Sequence, residues 1–188
     1  ARKFDYEYTN EKGKKVTGTV AMKDLVDPED DSFGAKIARA ALELYGKKRG
    51  EDVYMINDEG ESFKMKLDCS KLVYYAINKY CPSFARYILG KGARYQMINT
   101  GEKLNSENIV WHKTEDESMP DENQLLPGDL LYWVNSVGKV VHTAIYLESG
   151  LMAEVWDNTR IVELREFTDY GDGSGPTLVQ VNRLPEME

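Results

Sequence analysis

The chain has 188 residues, of which 41% are hydrophobic, 30% charged and 11% aromatic. These proportions describe one globular domain, or one domain with a small appendage, and exclude a chain that is disordered throughout. Asp and Glu number 32 against 24 Lys and Arg, and a formal net charge of -8 repels nucleic-acid phosphates. No apolar run approaches the ~18 residues of a membrane helix, so we expect no membrane span. The start, Ala1-Arg2-Lys3, fits either a chain whose signal peptide was removed or an arbitrary truncation.

The N-terminal region is predicted to form a β-hairpin. Two stretches of alternating apolar and polar residues lie within residues 4–20, on either side of a polar segment. We interpret residues 1–31 as an appendage or an added sheet edge. An amphipathic helix is predicted over 33–45, so the main domain is expected to span residues 32–188.

The two cysteines lie in one predicted helix, which Asp68 caps and Pro82 ends. Cys69 and Cys81 are 12 positions apart. At ~1.5 Å per residue this separation is roughly 18 Å, well beyond the ~7 Å between Cα atoms that a disulfide allows. Cys69 is therefore predicted to be a free thiol. The first turn of a helix favours a thiolate nucleophile, although the same position also suits a small buried hydrophobic residue.

The remaining elements predict an α+β domain. A loop-rich stretch containing Tyr54 precedes the cysteine helix, and a short helix over 83–89 follows it. Residues 99–124 are polar with weak periodicity, and we interpret 91–124 as an inserted region. Strand-like segments then occupy residues 129–134, 140–147, 151–156 and 177–182. We expect N-terminal helices packed on one face of a curved antiparallel β-sheet.

His142 lies in an otherwise apolar strand, where a lone histidine is more often structural than catalytic. A three-residue hairpin loop ending at Gly150 would place His142 opposite Trp156, with Glu154 on the same face one diagonal away. A two-residue loop would instead pair His142 with Asp157 and turn Glu154 to the other face. We prefer the longer loop because glycine suits its left-handed position, so Glu154 is predicted to orient the imidazole.

No metal or cofactor site is predicted. The chain has two histidines and two cysteines, and these four residues lack the close Cys-Cys or His-His spacing of four-ligand zinc sites. His112 lies in a polar region, and we interpret it as a surface or loop residue.

These motifs occur in a recognisable order along the chain. They are Tyr54, Asp68-Cys69-Ser70 at a helix start, Pro127-Gly128-Asp129-Leu130 at a strand start, His142-Thr143-Ala144-Ile145-Tyr146, and Glu154. Over residues 33–157 the sequence resembles the NlpC family of bacterial cell-wall cysteine peptidases, which belongs to the papain-like clan.

The resemblance implies a papain-like fold and assigns roles to individual residues. Cys69 would be the nucleophile, His142 the general base and Glu154 the residue that orients the histidine. Tyr54 would lie near the cysteine and help the Cys69 backbone N–H to hold the oxyanion. Such a site suits acyl transfer through a thioester.

Asp68, Ser70 and Lys71 would line the oxyanion and substrate side of this site. Lys71 stands where the family usually has glycine, and it would either bind a substrate carboxylate or be solvated. Glu154 stands where the family most often has histidine. Nucleophile and base lie 73 positions apart, a longer separation than usual that is consistent with the predicted insertion.

The family cleaves amide bonds in peptidoglycan stem peptides, often between γ-D-glutamyl and a diamino acid. The resemblance therefore implies a peptidoglycan or muropeptide substrate and a bacterial envelope location, periplasmic or secreted. Two alternatives stay open: a thiol amidase or acyltransferase with a non-wall substrate, and a catalytically silent binding domain of the same fold. The sequence does not separate a remodelling enzyme from a delivered toxin.

Overall fold

The computed structural model describes residues 2–10, 12–88, 92–157, 160–168 and 175–187. The α-helices are α1 (Met22–Leu25), α2 (Phe33–Leu42), α3 (Cys69–Tyr80), α4 (Pro82–Ala85) and α5 (Ala93–Thr100). The first strands are β1 (Lys3–Thr9), β2 (Lys15–Ala21), β3 (Asp52–Ile56), β4 (Ser62–Lys66) and β5 (Ile109–His112). The others are β6 (Leu130–Val134), β7 (Val140–Tyr146), β8 (Leu151–Val155), β9 (Val162–Glu166) and β10 (Thr177–Asn182). Short 3-10 turns cover Arg86–Ile88, Ser106–Asn108 and Glu122–Gln124.

A six-stranded antiparallel sheet has the strand order β5-β10-β6-β7-β8-β9. Strands β6, β7 and β8 form the consecutive hairpins of the predicted meander, and the chain continues into β9, which the sequence analysis did not include. After β9 the chain returns to β6, where β10 pairs with the edge of β6 that faces away from β7. The α+β prediction is confirmed, with helices and an antiparallel sheet in the expected order along the chain.

The predicted insertion is more structured than expected. Residues 99–124 were predicted to be an inserted loop region, but they include the edge strand β5, whose Trp111 is buried against the sheet. Helix α5 forms most of the described part of the insertion before them. His112 is exposed at the end of β5, in agreement with the surface position predicted for it. Leu89 and Lys91, which end the predicted helix and begin the predicted insertion, lie outside the described residues.

The main core lies between α2, α3 and one face of the sheet. Helix α2 begins at a Ser32 cap, whose Oγ accepts a hydrogen bond from the Ala35 N–H at 3.2 Å. Its start packs closely against the Pro127-Gly128 turn, where a Cβ on Gly128 would lie 2.0 Å from the Gly34 carbonyl oxygen. Gly128 also has a φ of +93°, so only glycine suits this turn before β6.

The N-terminal hairpin, β1 and β2, forms the separate two-stranded sheet that was predicted. Its Phe4 side chain is buried and meets the Tyr45 ring edge to face, with 5.1 Å between centroids. A two-stranded sheet depends on such packing for stability. Division of the chain into residues 1–31 and 32–188 stays a prediction. Among the described residues, no helix is both long enough and apolar enough to cross a bilayer.

Candidate active site

Cys69 is the first residue of α3, as the sequence predicts. Asp68 adopts an extended backbone and caps the helix, with its Oδ1 accepting from the Lys71 N–H at 2.9 Å and the Ser70 hydroxyl at 2.8 Å. Lys71 Nζ lies 3.5 Å from Ser70 Oγ and 3.9 Å from Asp68 Oδ2. Cys69 is partly exposed, and neither cysteine forms a disulfide within the described part of the chain. The Asp68 cap thus fixes the turn that carries the thiol.

The register of the β7–β8 hairpin confirms the predicted three-residue loop. Ile145 pairs with Ala153, Tyr146 pairs with Met152, and the Leu147 N–H donates to the Leu151 carbonyl. Gly150 has the expected positive φ, +68°. This register puts Glu154 on the face of His142. Asp157, the alternative partner, is exposed and pairs with Arg49.

His142 and Glu154 form a completely buried pair. The imidazole Nε2 lies 2.6 Å from Glu154 Oε2, and both side chains are 0% exposed. The imidazole ring lies near Trp133 and Trp156, at centroid distances of 5.2 Å and 3.9 Å. Because the carboxylate accepts a hydrogen bond from Nε2–H, Nδ1 is the ring nitrogen that remains available to accept or donate a proton.

The Cys69 thiol interacts with this pair. Burial alone would lower the pKa of His142, but hydrogen bonding and charge interactions with Cys69 and Glu154 raise the pKa to about 9. Nδ1 is buried and has no hydrogen bond of ordinary geometry. Since Nε2 is bound by Glu154, Nδ1 is the ring nitrogen that remains available to the sulfur. Active-site hydrogen bonds of this kind often tighten only when substrate binds.

Glu154 has further charged neighbours on β9. Its Oε1 lies 3.3 Å from Arg165 Nε, and its Cα partner in β9 is Glu163. Burial, followed by the charge of Glu154, raises the pKa of Glu163 to about 7, against the opposing effect of Arg165. The sequence analysis did not include these two β9 residues in the site.

Helix α5 supports the cysteine helix through buried polar groups. Gln96 Nε2 donates to the Ser70 carbonyl at 2.6 Å, and Thr100 Oγ1 donates to the Gln96 carbonyl at 2.6 Å. Thr100 Oγ1 also accepts from Asn182 Nδ2 at 2.9 Å and lies 3.3 Å from the Tyr132 hydroxyl. This network joins α3 to α5, β6 and β10. Sequence reasoning missed it because its members are polar residues that carry no hydrophobic periodicity.

Tyr54, which the resemblance puts near the cysteine, is largely exposed. Residues 52–66 form the hairpin of β3 and β4 instead of the predicted loop, and Val53 and Met55 turn inward while Tyr54 is 69% exposed. The hairpin runs along α3 toward its C-terminal end, so the Ile56 carbonyl accepts from Asn78 Nδ2 at 2.9 Å. Asn78 lies nine positions after Cys69, and Tyr54 lines a surface groove beside it.

Among the described residues, no group of three or more His, Cys, Asp and Glu side chains could hold a metal ion. The chemistry available is that of a thiol at a helix start, next to an imidazole whose second nitrogen is bound by a carboxylate. Such an arrangement defines the class of Cys-His-acid sites.

Comparison with known proteins gives the family. The model of the NlpC/P60 family matches residues 54–171, more than half of the chain, so this protein belongs to the NlpC/P60 family. The match spans Cys69, His142 and Glu154. This family consists generally of cysteine peptidases that hydrolyse peptidoglycan. No curated protein matches the chain.

Several solved structures resemble the chain. The P60 domain of a Mycobacterium avium subspecies paratuberculosis antigen is 18% identical, with a TM-score of 0.46 over 82% of this chain and 96% of that one. NlpC2 from Trichomonas vaginalis is 18% identical, with a TM-score of 0.46 over 88% of this chain and 50% of that one. The peptidoglycan hydrolase RipB from Mycobacterium tuberculosis is 20% identical, with a TM-score of 0.43 over 82% and 66%. This chain spans about half the length of the Trichomonas protein, and such low TM-scores add nothing to the family match.

Proposed function

We propose that this protein is a cysteine peptidase that hydrolyses amide bonds in peptidoglycan stem peptides, with Cys69 as nucleophile, His142 as general base and Glu154 as the orienting acid. The proposal depends most on one observation, the completely buried hydrogen bond between His142 and Glu154 beside a helix-start thiol. The family match over all three residues supports the same conclusion.

In the acylation step, His142 takes the Cys69 thiol proton through Nδ1, and the sulfur attacks the carbonyl carbon of the scissile amide. The tetrahedral oxyanion is stabilised by the Cys69 backbone N–H, which lies ahead of the hydrogen-bonded turns of α3. The C–N bond then breaks, and the His142 imidazolium gives its Nδ1 proton to the leaving amine. A pKa of about 9 keeps His142 protonated for this step at neutral pH. The products are a thioester and the freed amine.

In the deacylation step, neutral His142 takes a proton from water through Nδ1, and the resulting hydroxide attacks the thioester carbon. The C–S bond breaks, the new carboxylic acid leaves, and the thiolate and imidazolium are restored. In both steps Glu154 accepts a hydrogen bond from the Nε2–H group, which holds one tautomer and one orientation of the ring. The pair is completely buried, so water does not weaken the electrostatic interaction between the carboxylate and the ring.

Lys71 is proposed to select a carboxylate on the substrate. Its ammonium group lies at the first turn of α3, close to Asp68 and Ser70. Stem peptides carry free or amidated carboxyl groups near their γ-glutamyl bonds, and an ammonium group favours the charged form. The bond between γ-D-glutamyl and a diamino acid is therefore the proposed cleavage site.

The test is mass spectrometry of purified muropeptides after incubation with the protein, using matched substrates with free and amidated carboxyl groups. Cys69→Ala serves as the inactive control and Cys81→Ala as the matched cysteine control. We expect new stem-peptide fragments with the unaltered protein and with Cys81→Ala, faster release from the free-carboxyl substrate, and no release with Cys69→Ala. Absence of cleavage across several wall chemotypes would contradict the proposal, and would favour a non-wall amide substrate or a silent binding domain.

A further inference from the structure

Glu154 lies in a part of β8 where the strand ladder joins β8 to β9. The paired part of β7 and β8 consists of Ile145 with Ala153 and of Tyr146 with Met152. In contrast, β8 and β9 pair along their whole length, and Glu154 lies within that paired part. The carboxylate is therefore carried by a strand whose position at this level is set by β9.

The two oxygens of Glu154 contact two different basic groups. Oε2 lies 2.6 Å from His142 Nε2 on one side, and Oε1 lies 3.3 Å from Arg165 Nε on the other. Arg165 lies on the sheet face of Glu154, opposite Met152 and one diagonal away. The carboxylate is completely buried, so each contact replaces water that the group has lost. Together the contacts hold the carboxyl group from both sides.

Arg165 also acts electrostatically on a second acidic side chain, Glu163. Glu163 lies directly opposite Glu154 in the ladder, and like charges in such positions repel each other. Without the nearby Arg165 cation, this repulsion would push Glu154 away from Glu163 and change its alignment with the imidazole. The guanidinium is itself restrained, since its side chain is only 17% exposed and its Nη2 donates to the Thr9 carbonyl of the N-terminal hairpin at 3.4 Å.

We propose that Arg165 is a positioning residue, which holds the Glu154 carboxylate in the orientation that serves His142. The inference deepens the proposed function, because it names a residue outside the Cys-His-acid set on which that set depends. Arg165 takes no part in bond making or breaking. Its role is to keep one oxygen of Glu154 occupied so that the other stays on the imidazole.

The test uses Arg165→Met and Arg165→Lys in the full chain, with two readouts that need no substrate. The first readout is the rate at which iodoacetamide alkylates Cys69, with Cys81 as the reference thiol. The second is the NMR signal of the proton on His142 Nε2 in protein labelled with ¹⁵N-histidine. The chain has only two histidines, so His112 provides an internal reference. Neither readout depends on peptidoglycan cleavage, so a failed proposed function does not disguise a failed inference.

The matched control is Arg183→Met. Arg183 also pairs with a buried carboxylate, that of Asp129, at 2.8 Å; the two residues flank the ends of β10 and β6 and lie outside the His142 pair. Its replacement should lower the melting temperature while leaving both readouts as in the unaltered protein. This control separates loss of positioning from general loss of stability.

We expect Arg165→Met to slow Cys69 alkylation by about tenfold to about a hundredfold, the range for a misplaced reacting group, and to shift or broaden the His142 signal. Arg165→Lys should restore part of both, since it keeps the charge. Where muropeptide cleavage is measurable, Arg165→Met should lower kcat and leave KM nearly unchanged. Unchanged alkylation and an unchanged His142 signal in folded Arg165→Met would overturn the inference, as would equal effects of Arg183→Met.

Discussion

The two ends of helix α3 each carry a cysteine, but their surroundings differ. Cys69 at the first turn is partly exposed and interacts with a buried imidazole. Cys81 at the other end is 4% exposed, its backbone N–H closes the last turn on Ile77, and its sulfur lies 3.8 Å from Ser83 Oγ. Helix position and a basic partner therefore distinguish the two thiols, although they lie at the two ends of one helix.

The largest expected difference between these ends is in catalysis. Cys69→Ala should lower muropeptide cleavage by a factor on the order of 10⁴ or more, because it removes the nucleophile. Cys81→Ala should leave cleavage intact and reduce the free energy of unfolding by about 1 kcal/mol, since it only removes a buried sulfur. Turnover assays and urea denaturation of both variants measure the two effects. Normal turnover in Cys69→Ala would place the chemistry elsewhere.

The second difference concerns Glu154, the buried acid that pairs with His142 next to Cys69. Glu154→Gln should lower kcat by roughly 10²-fold, less than the 10⁴-fold that follows when a triad histidine is held in the wrong tautomer, because the amide oxygen still accepts from Nε2. Asp157→Asn is the control, as Asp157 is exposed and pairs with Arg49. A loss confined to Asp157→Asn would contradict the role of Glu154. Steady-state kinetics on one muropeptide are sufficient for the comparison.

The parts of the site that the sequence predicts are those marked by strong local signals. Asp68 and Pro82 delimit α3, and Gly150 sets a hairpin register that brings Glu154 to His142. These signals act over a few residues, so neighbouring positions are enough to interpret them. The family match over the same residues is independent of this reasoning.

The parts that sequence reasoning missed depend on buried polar groups. Gln96 and Thr100 are the buried residues of α5, so that helix has no apolar stripe to detect. In β9, Glu163 and Arg165 alternate with apolar residues, and the pattern gives no sign that their face adjoins His142. Tyr54 was assigned by resemblance, whereas the alternation of Val53 and Met55 turns it outward. Tertiary contacts between distant segments decide all of these positions.

A third difference is that the N-terminal end of α3 adjoins an imidazole, that of His142, whose pKa is raised to about 9. The folded protein binds the His142 proton more tightly than the unfolded chain, with pKa values of about 9 and 6.5. The resulting stabilisation is complete below about pH 6.5 and is lost as the pH rises through about 9. Urea denaturation of the unaltered protein and His142→Gln should give a difference that shrinks over this interval. A constant difference would indicate that His142 is not protonated in the folded protein.

The smallest expected difference is in helix capping. Asp68→Ala removes the acceptor of the Lys71 N–H and should cost about 1 kcal/mol of unfolding free energy, whereas Asp68→Asn keeps an acceptor and should cost much less. At the other end, Lys79→Ala removes a partly exposed pair with Glu43 and should cost only about 0.5 kcal/mol. Denaturation curves rank the three variants.

Because Asp68 also binds the Ser70 hydroxyl, Cys69 alkylation should slow in Asp68→Ala and not in Lys79→Ala. Equal alkylation in both would mean that the cap stabilises the helix without fixing the thiol.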